Sequence, residues 1–289
     1  MIAVGKILRI LAAEGVGGVT ARIRRRWRLG TFVPHVLEKQ HAGVRFRFYI
    51  GTTEGQEWYG RFVDTRLYKP LRAELAWLGR AAEPGDVVAD VGAHHGYFSV
   101  LMAHWVGARG KVYAFECLPE NADIASRNVA LNGLQNIAVV RTAVGAASGT
   151  IDIVNNSGGI LGDRVPGMRV LQVAMTSLDE FFGERLPNLL KIDVEGYEFD
   201  VLTGARRCLA ARPKIALEFH CFKFADPVEH VARVLDLLPR AGYEYQIAYE
   251  AGDELVDYTL DRDSASVIGS RYNPHLYALP RERYRKAST

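Results

Sequence analysis

The sequence is poor in cysteine and has no long apolar run. Its 289 residues include three cysteines, Cys117, Cys208 and Cys221, and no two of them have C-x-x-C spacing. An odd number without that spacing excludes a disulfide framework and the usual zinc sites, and it favours a reducing, cytoplasmic compartment. The longest mostly apolar stretches, such as residues 87–93 and 98–103, fall far short of the ~20 residues that span a bilayer. We therefore expect no transmembrane segment.

Neither sign of charge dominates the chain as a whole. The 36 lysines and arginines exceed the 33 aspartates and glutamates by three. Residues 1–30 hold seven basic residues against the acid Glu14, so the rest of the chain is slightly acidic and is not expected to bind nucleic acid. The basic leader is interpreted either as a peripheral contact with the inner membrane surface or as a helix that packs on the body with a solvated charged face.

The apolar pattern changes character at about residue 84. Residues 44–50 alternate between apolar and charged side chains, which predicts a half-buried strand, and a helix is predicted near residues 68–82. We therefore expect an N-terminal extension over residues 1–83, made of the leader helix, a β-hairpin and a helix, and a second domain over residues 84–289.

Apolar strands alternate with helices throughout the second domain. Strands are predicted near residues 87–91, 111–116, 136–144, 150–154, 170–175, 189–194, 214–219 and 244–248, with helices near 97–106, 119–132, 197–211 and 226–241. This alternation predicts an α/β fold with a doubly wound, mostly parallel sheet. Residues 265–269 and 275–279 are expected to close that sheet as an antiparallel hairpin at its edge.

Ligands of such sheets bind beyond the carboxyl ends of the strands. The first strand ends in a glycine turn, Asp90-Val91-Gly92-Ala93-His94-His95-Gly96-Tyr97, whose G-x-x-x-G spacing differs from the G-x-G-x-x-G of dinucleotide sites. Asp90 suits a cationic ligand. Glu116 ends the second strand twenty residues after Gly96, where a carboxylate accepts both ribose hydroxyls. The pattern favours S-adenosylmethionine over a nicotinamide cofactor.

These motifs resemble those of the FkbM-type S-adenosylmethionine-dependent methyltransferases over residues 44–220. The resemblance rests on the glycine turn, on Ala114-Phe115-Glu116, on the helix with Asn121 and Asn128, on Lys191-Ile192-Asp193-Val194-Glu195-Gly196, and on Thr176-Ser177-Leu178-Asp179 and Glu218-Phe219-His220. It implies a class I, Rossmann-like methyltransferase fold with a seven-stranded sheet, and methyl transfer to the oxygen of a sugar or related natural-product hydroxyl. His94-His95 and Cys117 depart from the family pattern.

The expected cofactor contacts lie at four strand ends and in the glycine turn. They are Asp90, Gly92, Ala93, Gly96, Tyr97, Glu116, Ala143 and Asp193. Methyl transfer from a sulfonium to an alcohol then requires positioning and removal of the acceptor's proton, either by a general base or with the help of a divalent cation such as Mg²⁺.

Two pairs of polar residues are candidates for that proton chemistry. Asp193 and Glu195 end one strand, and Glu218 and His220 end the next with the same i, i+2 spacing, so each pair lies on one face of its strand. We interpret Asp193, Glu218 and His220 as catalytic residues, acting as a base or as ligands of the cation. Glu195 is assigned either to the site or to the start of the next helix.

Three further features of the sequence concern the surroundings of the site: a Gly-rich segment, a group of aromatic residues and a pair of histidines. The Gly-rich segment 155–163 is read as a substrate lid or as an exposed connection. Tyr49, Trp58 and Tyr59 are candidates for an aromatic wall against a sugar ring, with core packing favoured for Tyr49, and His94 and His95 are assigned to the loop surface. The favoured function is O-methylation of a small-molecule or glycan acceptor. The alternatives are a non-catalytic cofactor-binding module tethered to a membrane or assembly, and a methyltransferase for protein or nucleic acid.

Overall fold

The computed structural model describes residues 32–62, 69–154, 160–161, 170–249 and 254–281. The basic leader lies outside these described residues, as does the proposed lid apart from residues 160–161. Within the described ranges, every helix is too short or too polar to span a bilayer.

The chain alternates between strands and short helices. The strands are β1 (His35–His41), β2 (Val44–Ile50), β3 (Val87–Val91), β4 (Lys111–Phe115), β5 (Ile137–Val140), β6 (Ala143–Val144), β7 (Gly149–Val154), β8 (Ile160–Leu161), β9 (Val170–Thr176), β10 (Leu189–Ile192), β11 (Lys214–Glu218), β12 (Tyr243–Ala248), β13 (Val256–Tyr258) and β14 (His275–Pro280). The α-helices are α1 (Thr53–Glu57), α2 (Lys69–Ala81), α3 (Tyr97–Val106), α4 (Pro119–Leu131), α5 (Leu178–Phe182), α6 (Glu198–Thr203), α7 (Arg206–Ala210), α8 (Pro227–Leu237) and α9 (Ser264–Gly269). A π-helical turn covers Trp58–Phe62, and a 3₁₀ turn covers Cys221–Lys223.

An eight-stranded sheet forms the centre, in the order β13-β12-β14-β11-β10-β3-β4-β5. The five strands from β11 to β5 run parallel, and β14 runs antiparallel to both of its neighbours. The predicted doubly wound sheet is thus confirmed. The chain moves from β3 to β4 and β5 in one direction and from β10 to β11 in the other. The crevice between β3 and β10 is therefore the topological switch point, where such folds bind ligands.

Four details differ from the sequence expectation. Residues 264–269 form α9, so the predicted closing hairpin is wrong. β14 is inserted between β11 and β12 because five of its six residues are buried, which suits an interior strand. The exposed β13 adds an eighth strand at the edge, and the strands near residues 150 and 170 belong to a separate four-stranded sheet, β6-β9-β7-β8.

The N-terminal extension shares its hydrophobic core with the central sheet. β1 and β2 form an antiparallel hairpin, and β2 buries Phe46, Phe48 and Ile50 at alternate positions, as the alternation predicts. The rings of Phe46 and Phe48 contact Tyr97 of α3 with centroids 5.4 and 5.2 Å apart. The β1–β2 hairpin therefore packs as part of the main body.

Candidate active site

A cavity of about 470 Å³ opens at the carboxyl ends of β3, β4, β10 and β11. This volume lies within the range of small-molecule sites. Glu116, Leu118 and Ala143 line one part of it, and Asp193 and Glu218 line another. The ends of the parallel strands therefore bring together residues that lie more than a hundred positions apart in the chain, such as Glu116 and Glu218.

The two glycines of the turn are required by protein contacts. Gly92 has φ +83°, and a Cβ there would lie 1.8 Å from the carbonyl oxygen of Asp193. Gly96 has φ +79°, and a Cβ there would lie 3.2 Å from the Cβ of Ala125 in α4. Gly92 also lines the cavity, whereas Ala93 is buried and donates its N–H to the Phe115 carbonyl over 2.9 Å. The glycines thus let β3, β10 and α4 approach closely enough to form the crevice.

Asp90 and Tyr97, both predicted to contact the cofactor, do not line the cavity. Asp90 is fully buried, accepts a hydrogen bond from Ser99 Oγ, and lies 3.8 Å from Lys191 Nζ. Burial raises the pKa of Asp90, although Lys191 and Ser99 act in the opposite direction. Tyr97 packs among the aromatic rings of the hairpin, including Phe48. The structure thus places these two side chains in the support of the turn.

Glu116 lies where the sequence analysis expected it, at the end of β4. Its two carboxylate oxygens accept hydrogen bonds of 2.8 Å from the backbone N–H groups of His94 and Leu118, and the side chain lines the cavity. Burial raises its pKa, while those hydrogen bonds and His94 oppose the rise. Each carboxylate oxygen keeps acceptor capacity. Glu116 is therefore held in place by the turn, and its carboxylate is able to accept hydrogen bonds from the hydroxyls of a ribose.

Four polar residues from the ends of β10 and β11 meet as predicted. His220 Nε2 lies 3.5 Å from Glu195 Oε1, 3.6 Å from Asp193 Oδ1 and 3.8 Å from Glu218 Oε1. The three carboxylates line the cavity, whereas His220 is buried behind them and does not line it. The imidazole is thus in contact with the acidic wall but not with the cavity itself.

The most compact set of potential metal ligands differs from the predicted one. Ligand atoms of Asp193, Glu195 and His220 all lie within 4.8 Å of one another, so Glu195 takes the place expected for Glu218. Glu195 has a positive φ of 55°, and its carboxylate forms an ion pair with Lys223. Glu218 Oε1 accepts a hydrogen bond of 3.0 Å from Asn273 Nδ2. Glu195 therefore belongs to the site, and Glu198 forms the contact with the helix start.

The buried carboxylate of Glu198 orients His220. Glu198 Oε1 lies 2.8 Å from His220 Nδ1 and also accepts a hydrogen bond of 2.9 Å from the Gly196 N–H, and Oε2 lies 3.0 Å from His230 Nε2. Burial alone would raise the pKa of Glu198, but the two histidines lower it to about 2. The ionised Glu198 accepts a hydrogen bond from the Nδ1–H group of His220. The other ring nitrogen, Nε2, is then directed at the three carboxylates.

Two carboxyls of the acidic wall have pKa values shifted in opposite directions by burial and by their charged neighbours. Burial raises the pKa of Glu218 well above its usual value, and Asp193 adds to the rise. Burial would also raise the pKa of Asp193, but Lys191 and His220 outweigh it and lower this pKa. Buried Lys191 lies 3.3 Å from Asp193 Oδ2 and 3.7 Å from Glu74 Oε1, as an anchoring charge beneath the cavity.

Two buried residues of the wall, Glu74 and His275, were not predicted from the sequence. Glu74 is on α2, in the extension, and burial raises its pKa to about 7. His275 pairs with Glu218 across β14 and β11, and burial lowers its pKa to about 3. Neither residue ends a parallel strand, so the strand-end rule does not find them. The available signal for Glu74 was an acid on the same helix face as Trp77 and Leu78, three and four positions further on.

The remaining aromatic and histidine predictions divide between wall and core. Trp58 and Tyr59 line the cavity, whereas Tyr49 does not. His94 also lines it, and its Nδ1 lies 2.8 Å from the Tyr59 hydroxyl. The assignment of His95 to the loop surface is wrong, because its side chain is fully buried and its ring stacks on His94 with centroids 3.9 Å apart.

Three features together define the class of protein to which this chain belongs. They are the sheet order with its reversed strand β14, the glycine turn after β3, and the carboxylate of Glu116 after β4. They are the parts of a class I S-adenosylmethionine-dependent methyltransferase, and the residues fit that cofactor because Glu116 and apolar side chains form one part of the cavity. The methyltransferase FkbM domain model matches residues 90–245, more than half of the chain. The chain therefore belongs to the FkbM methyltransferase family.

Individual relatives show similarity over different lengths. The hexuronic acid methyltransferase AglP of Haloferax volcanii is 26% identical over 244 residues, 83% of this chain and 90% of that protein. A protein-L-isoaspartate O-methyltransferase of Aeropyrum pernix is 44% identical over 66 residues, 23% of this chain and 25% of that enzyme. The crystal structure of methyltransferase FkbM from Methylobacillus flagellatus KT matches with a TM-score of 0.42 and 19% identity, over 67% of this chain and 43% of that one. The matches thus span a quarter of the isoaspartate enzyme and under half of the FkbM structure.

Proposed function

We propose that this enzyme methylates a hydroxyl of a sugar in a glycan or glycosylated natural product, with a divalent cation held by Asp193, Glu195 and His220. The observation that carries the proposal is the position of His220 Nε2, 3.5 to 3.8 Å from three carboxylates that line the cofactor cavity. Similarity to AglP, described as a hexuronic acid methyltransferase, over 90% of that protein's length supports a sugar as the acceptor.

The donor set supports a cation. Carboxylate oxygens with one imidazole nitrogen suit Mg²⁺ or Mn²⁺. The second ring nitrogen of a metal-bound histidine commonly donates to a carboxylate, and His220 Nδ1 has that partner in Glu198. Because His220 does not line the cavity, direct proton removal from an acceptor by its imidazole is disfavoured. The geometry supports a metal ligand in preference to a base.

The charge of the cavity supports a hydroxyl as the reacting group. Six carboxylates line the described part of the wall, from Glu54, Glu74, Glu116, Asp193, Glu195 and Glu218, and no lysine or arginine does. Such a wall disfavours an acceptor carboxylate next to the methyl group and favours a neutral hydroxyl that must lose a proton.

The roles of this chain's residues follow from their positions. S-adenosylmethionine, when bound, supplies the electrophilic methyl group. Glu116 accepts hydrogen bonds from the ribose hydroxyls, and Asp193, Glu195 and His220 would hold the cation that lowers the pKa of the acceptor hydroxyl. Glu218 is the other carboxylate near His220 that lines the cavity, and we assign it the role of accepting the hydroxyl's proton.

The test is methyl transfer from isotope-labelled S-adenosylmethionine to neutral hexosides and hexuronides. We expect product with at least one sugar class, loss of turnover in chelator, and recovery with Mg²⁺ or Mn²⁺. The product should resist mild alkali, since a methyl ether survives where a methyl ester is hydrolysed. Glu195→Gln should lose metal-dependent turnover, and Glu229→Gln, at an exposed glutamate of α8, should retain it.

Each part of the proposal fails on a different result. Activity that is indifferent to chelator would refute the cation, and an alkali-labile product would refute the hydroxyl. Binding of the cofactor without transfer to any sugar would favour the non-catalytic module or a non-sugar acceptor.

A further inference from the structure

In the described part of the chain, the exposed aromatic side chains all line the cavity. Nine large hydrophobic residues in the described part of the chain are exposed, and three of them are aromatic: Trp58 at 41%, Phe222 at 44% and Tyr272 at 58%. All three line the cavity. Large aromatic rings left in water at one place commonly mark a binding surface. The proposed methyl transfer gives these three rings no role, so their presence in the same cavity needs another explanation.

Two of these rings form a stacked pair at fixed orientation. Phe222 and Tyr272 lie with ring centroids 4.4 Å apart and an interplanar angle of 10°. Phe222 is in the 3₁₀ turn after β11, and Tyr272 is in the turn before β14. Because β11 and β14 pair, with Glu218 opposite His275, the two turns lie together at one end of the sheet. Each ring covers one face of the other, and this stacking favours the same arrangement before any ligand binds.

The stacked pair is close to the proposed reaction centre and distant from the ribose site. The Phe222 ring centroid lies 6.1 Å from that of His220. Glu116 follows β4, which is three strands away from β11 in the sheet order, or about 14 Å at the usual strand spacing. The pair is therefore placed to contact the acceptor and not the cofactor's ribose.

We propose that Phe222 and Tyr272 form a stacking platform for a second sugar ring of the acceptor, adjacent to the ring that is methylated, with Trp58 as a third contact. This inference rests on the proposed function. It assigns the substrate class as an oligosaccharide or glycoside rather than a single sugar.

The chemistry of a pyranose matches this surface. One face of the ring presents C–H groups, which pack on an aromatic face, while its edge presents hydroxyls that need polar partners. Asn273, next to Tyr272 in the chain, lines the cavity and donates a hydrogen bond of 3.0 Å to Oε1 of Glu218, which also lines it. A flat apolar face bordered by amide and carboxylate groups therefore meets both requirements.

The experiment compares single rings with four-ring chains on protein saturated with S-adenosylhomocysteine and Mg²⁺. The probes are methyl β-D-glucopyranoside with cellotetraose, and methyl β-D-glucuronide with a hyaluronan tetrasaccharide, each titrated by calorimetry. We expect at least one tetrasaccharide to bind about tenfold more tightly than its single-ring partner, the scale of an added aromatic contact. Tyr272→Leu and Phe222→Leu should remove that gain, and Tyr272→Phe should retain it, because leucine keeps apolar area but not a flat face.

Two results would overturn the platform. One is that neither tetrasaccharide binds more tightly than its single-ring partner. The other is that the leucine variants keep the chain-length gain, or lose affinity for S-adenosylhomocysteine instead. Because binding is measured without turnover, an error in the proposed reaction would appear separately, as intact chain-length dependence with no methyl transfer.

Discussion

Single carboxylates in this molecule carry distinct tasks that are set by their hydrogen-bond partners. Glu116 and Glu198 are both buried, and each accepts backbone N–H groups. Glu116 retains acceptor capacity towards the cavity, whereas Glu198 directs its oxygens at two histidines. Residue type alone does not separate a ligand-binding acid from a positioning acid, but the direction of the remaining lone pairs does.

Replacing Glu116 tests its assignment to the ribose. We expect Glu116→Ala to weaken S-adenosylhomocysteine binding by about 1–3 kcal/mol, the scale for loss of a buried charged hydrogen-bond partner. Calorimetric titration measures the change. Glu120→Ala, at an exposed acid in the first turn of α4, serves as the control and should bind as the unchanged protein does. Unchanged affinity in Glu116→Ala would remove this residue from the cofactor site.

Replacing Glu198 tests the positioning of His220. In Glu198→Ala, the His220 ring loses the partner that fixes its Nδ1 proton, so Mn²⁺ affinity should fall about 10- to 100-fold, the usual effect of removing such a partner. Glu198→Gln keeps one hydrogen-bond acceptor, so its Mn²⁺ affinity should fall less. Calorimetry with Mn²⁺ on folded protein, checked by circular dichroism, measures both. Equal Mn²⁺ affinity in all three proteins would contradict this role.

At the scale of elements, one asparagine in α4 and a second just after it dock the N-terminal hairpin onto the main body. Asn128 Oδ1 accepts the Tyr49 N–H over 2.6 Å, and its Nδ2 donates to the His95 carbonyl over 2.9 Å. Asn132, just after α4, makes two hydrogen bonds of 2.8 Å with the backbone of Arg47. The first asparagine is fully buried and the second is partly exposed. α4 thus connects the hairpin to the glycine turn.

The asparagine pair gives a matched comparison. Asn128→Ala leaves buried backbone groups without partners, so we expect the free energy of unfolding to fall by about 1–3 kcal/mol. Asn132→Ala should cost less, because water can replace its contacts. Urea denaturation measures both values. Asn128→Ala should also weaken S-adenosylhomocysteine binding, since Asn128 holds the turn. If both variants lost the same free energy of unfolding, burial would not explain how much these hydrogen bonds contribute to stability.

At the scale of the whole molecule, sequence periodicity predicted the parallel sheet and the acidic residues at its strand ends. Glu116, Asp193, Glu195 and Glu218 follow apolar strands, and parallel strands deliver their ends to one edge. The pattern did not place β14 inside the sheet, because neighbour order depends on packing between distant segments. It missed Glu74 and His275 for the same reason: both reach the cavity from elements whose position only the tertiary fold determines.

The extension also provides the last test, because its core residues are continuous with the main body. Phe48 is fully buried between the rings of Phe46, Tyr59 and Tyr97. We expect Phe48→Ala to lower the free energy of unfolding by about 3–5 kcal/mol, whereas Arg45→Ala, at an exposed position of the same strand, should change it by less than ~0.5 kcal/mol.

Pulsed hydrogen exchange through a urea titration follows peptides from β2 and from β3 separately. If residues 35–81 fold as one unit with the central sheet, both peptides should lose protection at one midpoint, and Phe48→Ala should lower that midpoint equally for both. Two separate midpoints, with only the β2 peptide shifted in the variant, would instead establish residues 1–83 as an independent domain. The part of the cavity wall formed by Trp58, Tyr59 and Glu74 would then be able to open without unfolding the sheet.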